Sequence, residues 1–114
     1  MDIVSPQIVS ESADSNRAEF EIRIPRDLLY LQGHFPGEPV LPGVVQVHWA
    51  IELARKHFDL KSEFVAIEGL KFHRVIEPDT RLGLTVEYDD ASGKLRFAYT
   101  SGDDTYSQGR VLFE

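Results

Sequence analysis

The sequence contains no cysteine among its 114 residues. Disulfide frameworks and thiolate metal sites are therefore excluded. The first ten residues, MDIVSPQIVS, lack the basic start and the apolar run of a signal peptide. No apolar run reaches the roughly 18 residues that a membrane-spanning helix needs. We therefore expect a cytoplasmic protein without a membrane partner.

Positive charge is also scarce. The chain carries 12 lysines and arginines against 19 aspartates and glutamates, a formal net charge of −7. Binding to nucleic acid requires clustered basic residues that neutralise phosphates, so this class of partner is not expected. An acidic protein partner would need a local basic patch, for which Lys71, Arg74 and Arg81 are candidates. A solvated strand face explains these three residues at least as well.

The length bounds the organisation of the chain. We expect one domain over residues 1–114, because the sequence has no repeat, no low-complexity tract and no linker. A domain of this size has one core but little room to enclose a large substrate cleft by itself. A site shared between subunits is therefore worth considering.

Strand patterns frame the chain on both sides of one apolar helix. In residues 17–24, RAEFEIRI alternates polar and apolar side chains, and residues 3–9 are expected to pair with it across an ESADSN turn. The helix begins at Gly43 and is expected to place Val44, Val47, Ile51 and Ala54 on one face. Four more strands are predicted at residues 64–76, 80–89, 93–101 and 104–113. This order predicts an α+β domain whose mostly antiparallel sheet packs on, or wraps round, one long helix.

The segment that precedes the helix, HFPGEPVLPGV from His34 to Val44, is rich in proline and glycine. Proline restricts φ and glycine lets the backbone approach a ligand closely, so the composition predicts a rigid loop. The loop ends at Pro42 and Gly43, where the first helical turn leaves unpaired N–H groups with partial positive charge. Such groups can stabilise an oxyanion.

The same segment resembles the HFPGxPxxPGV signature of the 3-hydroxyacyl-acyl carrier protein dehydratases of fatty acid synthesis. A second segment, LKFHRVIEPDT from Leu70 to Thr80, resembles the KFRRPVxPGD strand of that family. The resemblance covers roughly residues 7–114 and implies the hotdog fold. Without the family's N-terminal helix, the chain looks like a shortened relative, most similar to the small dehydratases of aryl polyene and related pigment clusters.

The resemblance implies dehydration of a 3-hydroxyacyl thioester to the trans-2-enoyl thioester. It assigns the base to His34 and the oxyanion donor to the backbone N–H of Gly43, with Phe35, Pro42 and Val44 beside the substrate. It implies no metal and no redox cofactor. Its further implications are a substrate carried on acyl carrier protein, and a homodimer or larger oligomer in which His34 of one subunit faces the helix of the other.

One position departs from the family. Fourteen residues after the catalytic histidine, where the family has Asp or Glu, this chain has His48. Glu52 lies at i+4, where a carboxylate meets the ring and would favour the imidazolium, which can donate a proton. We therefore hypothesise a His48–Glu52 acid unit opposite His34.

Several alternatives stay open. His48 could be a polar residue at a subunit contact or pocket wall, and Glu52 could be an ordinary solvated helix residue. The chain could then be a noncatalytic hotdog subunit that binds acyl thioesters or completes a hetero-oligomer with a related dehydratase. Thioester hydrolysis fits the loop less well. Trp49 is expected to pack in the core or an interface, and His57 and His73 to be surface or strand residues.

Overall fold

A computed structural model describes residues 3–31 and 40–114. Within them, six strands form one antiparallel sheet beside a single α-helix. None of the helical residues described forms a segment long and apolar enough to cross a membrane. The strands are β1 Gln7–Ala13, β2 Arg17–Arg23, β3 Phe64–Phe72, β4 Arg81–Asp89, β5 Lys94–Ser101 and β6 Asp104–Phe113; the helix is α1 Gly43–Arg55, and Leu29–Leu31 form a short 3-10 turn.

The strand order in the sheet is β1-β2-β4-β5-β6-β3. All five neighbouring pairs are antiparallel, which confirms the predicted sheet with one helix. β3 pairs only with β6 and forms one edge of the sheet. Its other side therefore presents backbone groups that could pair with a further strand.

The first predicted strand was placed too early. Residues 3–9 were expected to pair with β2, whereas the strand runs from Gln7 to Ala13 and takes up half of the predicted ESADSN turn. The ladder continues to the pair Ala13 and Ala18, and the backbone N–H of Asp14 donates to Arg17 O at 2.7 Å. Polar Glu11 and Ser12 fit the strand because β1 is an exposed edge strand.

The third predicted strand, residues 64–76, extends past the C-terminal end of the observed strand. β3 stops at Phe72, and the backbone N–H groups of His73 and Arg74 both approach Tyr106 O, at 2.8 and 3.2 Å. Two donors on one acceptor break the ladder spacing, so the chain leaves the sheet here. It then places the buried Ile76 beside Leu41, just ahead of α1, where Leu41 N–H donates to Ile76 O at 2.8 Å.

The buried face of α1 also differs from the predicted one. Val47, Ala54 and the partly buried Ile51 pack in or against the core, but Val44 is 77% exposed, so the predicted face is wrong at Val44. The first two turns are apolar nearly all round, so periodicity could not identify the side that faces the sheet. The buried helix residues are Val45, Gln46, Val47, Trp49, Ala50, Leu53 and Ala54.

Trp49 is a core residue, as expected. It is 1% exposed, and its indole N–H donates to Val4 O at 3.1 Å. Next to Val4, Ile3 forms an isolated parallel bridge with Leu28. The N-terminal segment is thus tied to both the helix and the loop after β2.

The turn before β4 holds a non-glycine residue in the left-handed region. Asp79 has φ 64°, at the position where the family's KFRRPVxPGD pattern has glycine. Its carboxylate bonds Arg23 Nη2 at 2.8 Å and Arg26 Nε at 2.8 Å, and its N–H donates to Ile24 O at 2.8 Å. Asp tolerates this region better than most residues, and the two arginines hold it there.

We expect Asp79→Ala to be less stable than Asp79→Gly. Both variants lose the two arginine contacts, but alanine alone meets the steric penalty of a positive φ. The difference in free energy of unfolding should be about 1 kcal/mol, measured by urea denaturation monitored by circular dichroism. Equal stability of the two variants would show that the turn relaxes out of the left-handed region.

Candidate active site

The site begins where α1 begins. Pro42 is the N-cap, with φ −61° and ψ 146°, and no side chain caps this end of the helix. The N–H groups of Val45 and Gln46 both point to Pro42 O, at 3.1 and 3.2 Å. No described residue accepts a hydrogen bond from the N–H of Gly43, which lies at the positive end of the helix dipole. Among the described residues, this N–H is therefore unpaired, which agrees with the predicted position of the oxyanion donor.

Close packing explains the glycine at position 43. A β-carbon there would lie 2.5 Å from Cζ of Phe72, the last residue of β3. The aromatic ring therefore lies directly on the first helical residue. Since Phe72 is still half exposed, its ring forms one wall of the surface at the helix start.

His48 and Glu52 form the predicted pair on α1. His48 Nε2 lies 2.8 Å from Glu52 Oε1, and both side chains are about half exposed, at 55% and 54%. The i+4 spacing puts the carboxylate one helical turn beyond the ring. Because Nε2 contacts the carboxylate, Nδ1 is the ring nitrogen left for another partner.

The pair lies on the side of α1 that the sheet does not cover. Val44, His48 and Glu52 follow each other at intervals of four residues, and Arg55 continues this stripe. Val44 is the most exposed large apolar residue described, at 77%. Val44 lies one helical turn before His48. An apolar side chain this exposed, next to other exposed apolar residues, is typical of a surface that a ligand or another protein covers.

Strand β3 lies alongside this stripe. At one end, the Phe72 ring lies on Gly43. At the other end, Phe64 packs against Phe113 with ring centroids 6.4 Å apart, and the guanidinium of Arg55 lies 5.7 Å from the Phe113 ring. The edge strand and the uncovered side of α1 therefore form one surface. The exposed apolar residues of β3 are Phe64, Val65, Ile67, Leu70 and Phe72.

A buried polar network, not predicted from the sequence, lies behind the helix start. Gln46 is 3% exposed and bonds Leu41, Tyr99 and Ser107. Burial raises the pKa of the Tyr99 hydroxyl, so it stays protonated and donates. The only sequence signal for this network was Gln46 itself, a polar residue in the apolar first turn of the helix.

His34 and Phe35, the predicted base and its neighbour, lie outside the described residues. Their roles stay predictions from the sequence motif. The structure brings together the other predicted site residues, Gly43 with Pro42 and Val44 at the helix start and His48 with Glu52 further along.

A family model described as ApeI-like, ApeI dehydratase, matches residues 10–110. The chain belongs to the ApeI-like dehydratase family. Its structure is similar to the dehydratase heterocomplex ApeI:P from Xenorhabdus doucetiae, with a TM-score of 0.88 and 29% identity over 96% of this chain and 97% of that one. An uncharacterized protein from Erwinia carotovora subsp. atroseptica gives a TM-score of 0.81 at 29% identity, covering 94% of both chains. This likeness confirms the hotdog fold.

Curated relatives of this chain carry the name 3-hydroxyacyl-(acyl-carrier-protein) dehydratase FabZ. The protein from Novosphingobium aromaticivorans is 38% identical over 68 residues, which cover 52% of this chain and 43% of that protein. The one from Acidovorax sp. is 31% identical over 96 residues, covering 73% of this chain and 66% of that protein. The matched part thus spans less than two thirds of these two relatives' own length.

The other two histidines in the described part of the chain, His57 and His73, lie away from the His48–Glu52 pair. His57 Nε2 lies 2.9 Å from Glu11 Oε2, and hydrogen bonds from His57 and Lys56 lower the pKa of the Glu11 carboxyl. His73 is exposed just after β3, as expected of a surface residue. Within residues 3–31 and 40–114, no three His, Asp or Glu side chains are placed to hold a metal ion.

The three candidate basic residues, Lys71, Arg74 and Arg81, do not form one patch. Arg74 lies 3.4 Å from Asp104, and Arg81 lies 3.0 Å from Glu21 on β2. β4, which begins at Arg81, is three strands away from β3, which carries Lys71. Sequence proximity suggested a cluster because Lys71 and Arg81 flank a single turn segment, but the two strands are not neighbours.

Proposed function

We propose that this chain dehydrates a 3-hydroxyacyl thioester, carried on acyl carrier protein, to the trans-2-enoyl thioester. Membership of the ApeI-like dehydratase family supports the reaction. The observation that carries the site assignment is the imidazole–carboxylate contact of His48 and Glu52. It lies on the helix whose first N–H donates to none of the described residues. The His48–Glu52 pair lies on the side of α1 that the sheet does not cover, and the Gly43 N–H lies at the N-terminal end of the same helix.

The chemistry divides among three groups. The neutral imidazole of His34 removes a proton from C2, while the N–H of Gly43 stabilises the negative charge that develops on the thioester oxygen. The electron pair then forms the C2–C3 double bond, and the hydroxyl on C3 leaves. His48, as imidazolium, gives the hydroxyl its proton from Nδ1, so the second product is water.

Glu52 is given the supporting role in this scheme. Its carboxylate holds Nε2 at 2.8 Å, which fixes the ring orientation and leaves Nδ1 to act on the substrate. Half-exposed groups interact weakly in water, so the pair needs a cover that excludes solvent to work as an acid. The exposure of Val44 and β3 beside the pair is consistent with such a cover.

We assign this cover to a second subunit. The surface combines Val44 and the exposed apolar residues of β3 with a sheet edge that no described strand pairs, both features of a subunit interface. The partner would bring its own His34 loop to the His48–Glu52 pair. A symmetric dimer would then hold two equal sites, each built from both chains.

A related dehydratase is the alternative partner. The similar solved structure is a dehydratase heterocomplex, and His48 replaces the family's acidic residue. In that case this chain would bind acyl thioesters or support the partner's site without turning over substrate alone. The two candidates differ in whether the purified chain is active by itself.

A direct assay separates these candidates. The purified protein is incubated with a short-chain 3-hydroxyacyl thioester on acyl carrier protein, and mass spectrometry detects the loss of one water. We expect turnover by the protein alone. Absence of turnover alone, with activity when a related dehydratase is added, would reject the homomeric enzyme in favour of the noncatalytic subunit.

For the carrier protein, Lys71 is the basic candidate that supports docking best. It lies on β3 one residue before Phe72, so docking requires that the second subunit leaves its ammonium uncovered at the rim of the interface. Arg74 and Arg81 each contact a carboxylate of this chain, which reduces their attraction for an acidic partner.

A further inference from the structure

Gln46 occupies a core position of α1, where a polar side chain needs an explanation. It is 3% exposed and lies on the face of the helix that packs against the sheet. Burying an amide is unfavourable unless hydrogen bonds replace those with water, and an apolar side chain of similar shape is often as stable. Stability alone therefore does not account for a glutamine here.

Three hydrogen bonds define what Gln46 does. Its side-chain N–H donates to Leu41 O at 3.2 Å, and its side-chain oxygen accepts from the Ser107 hydroxyl at 2.6 Å. Its backbone carbonyl accepts from the Tyr99 hydroxyl, also at 2.6 Å. The bond to Leu41 joins the helix start to the segment before it, the bond to Ser107 joins it to β6, and the bond to Tyr99 joins it to β5.

The hydrogen bond from Gln46 to Leu41 connects this network to the proposed site. The Leu41 carbonyl is held by Gln46, and the Leu41 N–H donates to Ile76 O at 2.8 Å. Both polar groups of this peptide segment are thus bonded, one residue before Pro42 and two before Gly43. Because the ring of Pro42 restricts its φ, fixing the Leu41 peptide also restricts the direction of the Gly43 N–H.

We propose that Gln46 is a positioning residue that fixes the backbone from Leu41 to Gly43, so that the Gly43 N–H is aimed at the thioester oxygen. This inference rests on the proposed dehydration and adds a residue to it. Gln46 itself does not touch the substrate. Its side chain anchors the segment to β6 through Ser107, while the Tyr99 bond to its backbone carbonyl ties the helix to β5 whatever the side chain.

The test replaces Gln46 with methionine, whose side chain has a similar size but cannot replace the amide hydrogen bonds to Leu41 and Ser107. We expect kcat for dehydration to fall by about ten- to a hundred-fold, because a misplaced oxyanion donor fails mainly in the transition state. KM should stay within about three-fold, since such a donor contributes little to ground-state binding. Gln108→Met is the matched control, because Gln108 follows Ser107 on β6 and points to the opposite face of the sheet.

Ser107→Ala provides a second, milder variant. It removes one anchor of Gln46 but leaves the bond to Leu41, so kcat should fall by less than in Gln46→Met, about three- to ten-fold. A kcat equal to wild type in both variants, with both folded by circular dichroism, would overturn the proposal. A rise in KM alone would do the same.

Amide hydrogen exchange tests the positioning independently of activity. In Gln46→Met, exchange of the Leu41 N–H should accelerate at least about ten-fold, while the N–H groups late in α1, such as that of Leu53, keep their rates. Unchanged Leu41 exchange would overturn the inference even if activity fell. If the wild-type chain shows no dehydration, the proposed function fails, and the exchange result still decides whether Gln46 fixes this segment.

Discussion

Replacing His34 with alanine is expected to lower kcat for dehydration by about a hundred- to ten-thousand-fold, the range attributed to a general base. The proton on C2 of a thioester is weakly acidic, so loss of the group that accepts it affects the rate directly. His57→Ala is the matched control, because His57 contacts Glu11 rather than the site. Activity of His34→Ala within ten-fold of wild type would remove His34 from the mechanism.

The same variant also tests the shared site. If each site takes His34 from one chain and His48 from the other, then mixing His34→Ala with His48→Ala places both defects in one site of a mixed dimer and leaves the other site intact. Random exchange of subunits should restore about a quarter of wild-type activity. No recovery after verified exchange would mean that both histidines of a site belong to the same chain.

The second large effect is expected at His48. His48→Ala should reduce kcat by about a hundred-fold or more, because hydroxide is a poor leaving group without a proton donor. Glu52→Gln should reduce kcat by about ten-fold, since a neutral amide can orient the ring but stabilises its charged form less. A silent Glu52→Gln would show that the pair at 2.8 Å is a surface contact rather than an acid unit.

A double variant gives the matched comparison for this pair. His48→Glu restores the family's acidic residue, but it places two carboxylates at i and i+4, which repel each other. His48→Glu combined with Glu52→Gln keeps the acidic residue at position 48 and removes the second carboxylate. We expect the double variant to be more active than His48→Glu alone, measured in the same dehydration assay. The opposite order would show that Glu52 acts independently of the residue at position 48.

Much of the fold was predictable from local patterns. The period of two in RAEFEIRI, the turns after Asp89 and Ser101, and the helix that begins at Gly43 all reflect interactions between residues close in sequence. The i+4 contact of His48 with Glu52 was predictable for the same reason, because helix geometry alone brings these side chains together.

The buried face of α1 and the neighbours of β3 depended on tertiary structure. An almost wholly apolar helix has no preferred side until a sheet packs against it, so Val44 was assigned to the wrong face. Likewise, Lys71 and Arg81 are close in sequence but lie on strands that other strands separate.

By itself, the sequence determined that this chain is a hotdog-type α+β protein with a dehydratase loop motif and an unusual histidine at position 48. Tertiary structure alone decided that Gln46 bonds Ser107, which is 61 residues away, and that the Phe72 ring lies on Gly43. The physical reason is the range of the interactions. Turns, strand alternation and i+4 pairs are fixed by neighbouring residues, whereas contacts across the sheet depend on the pairing and register of distant strands.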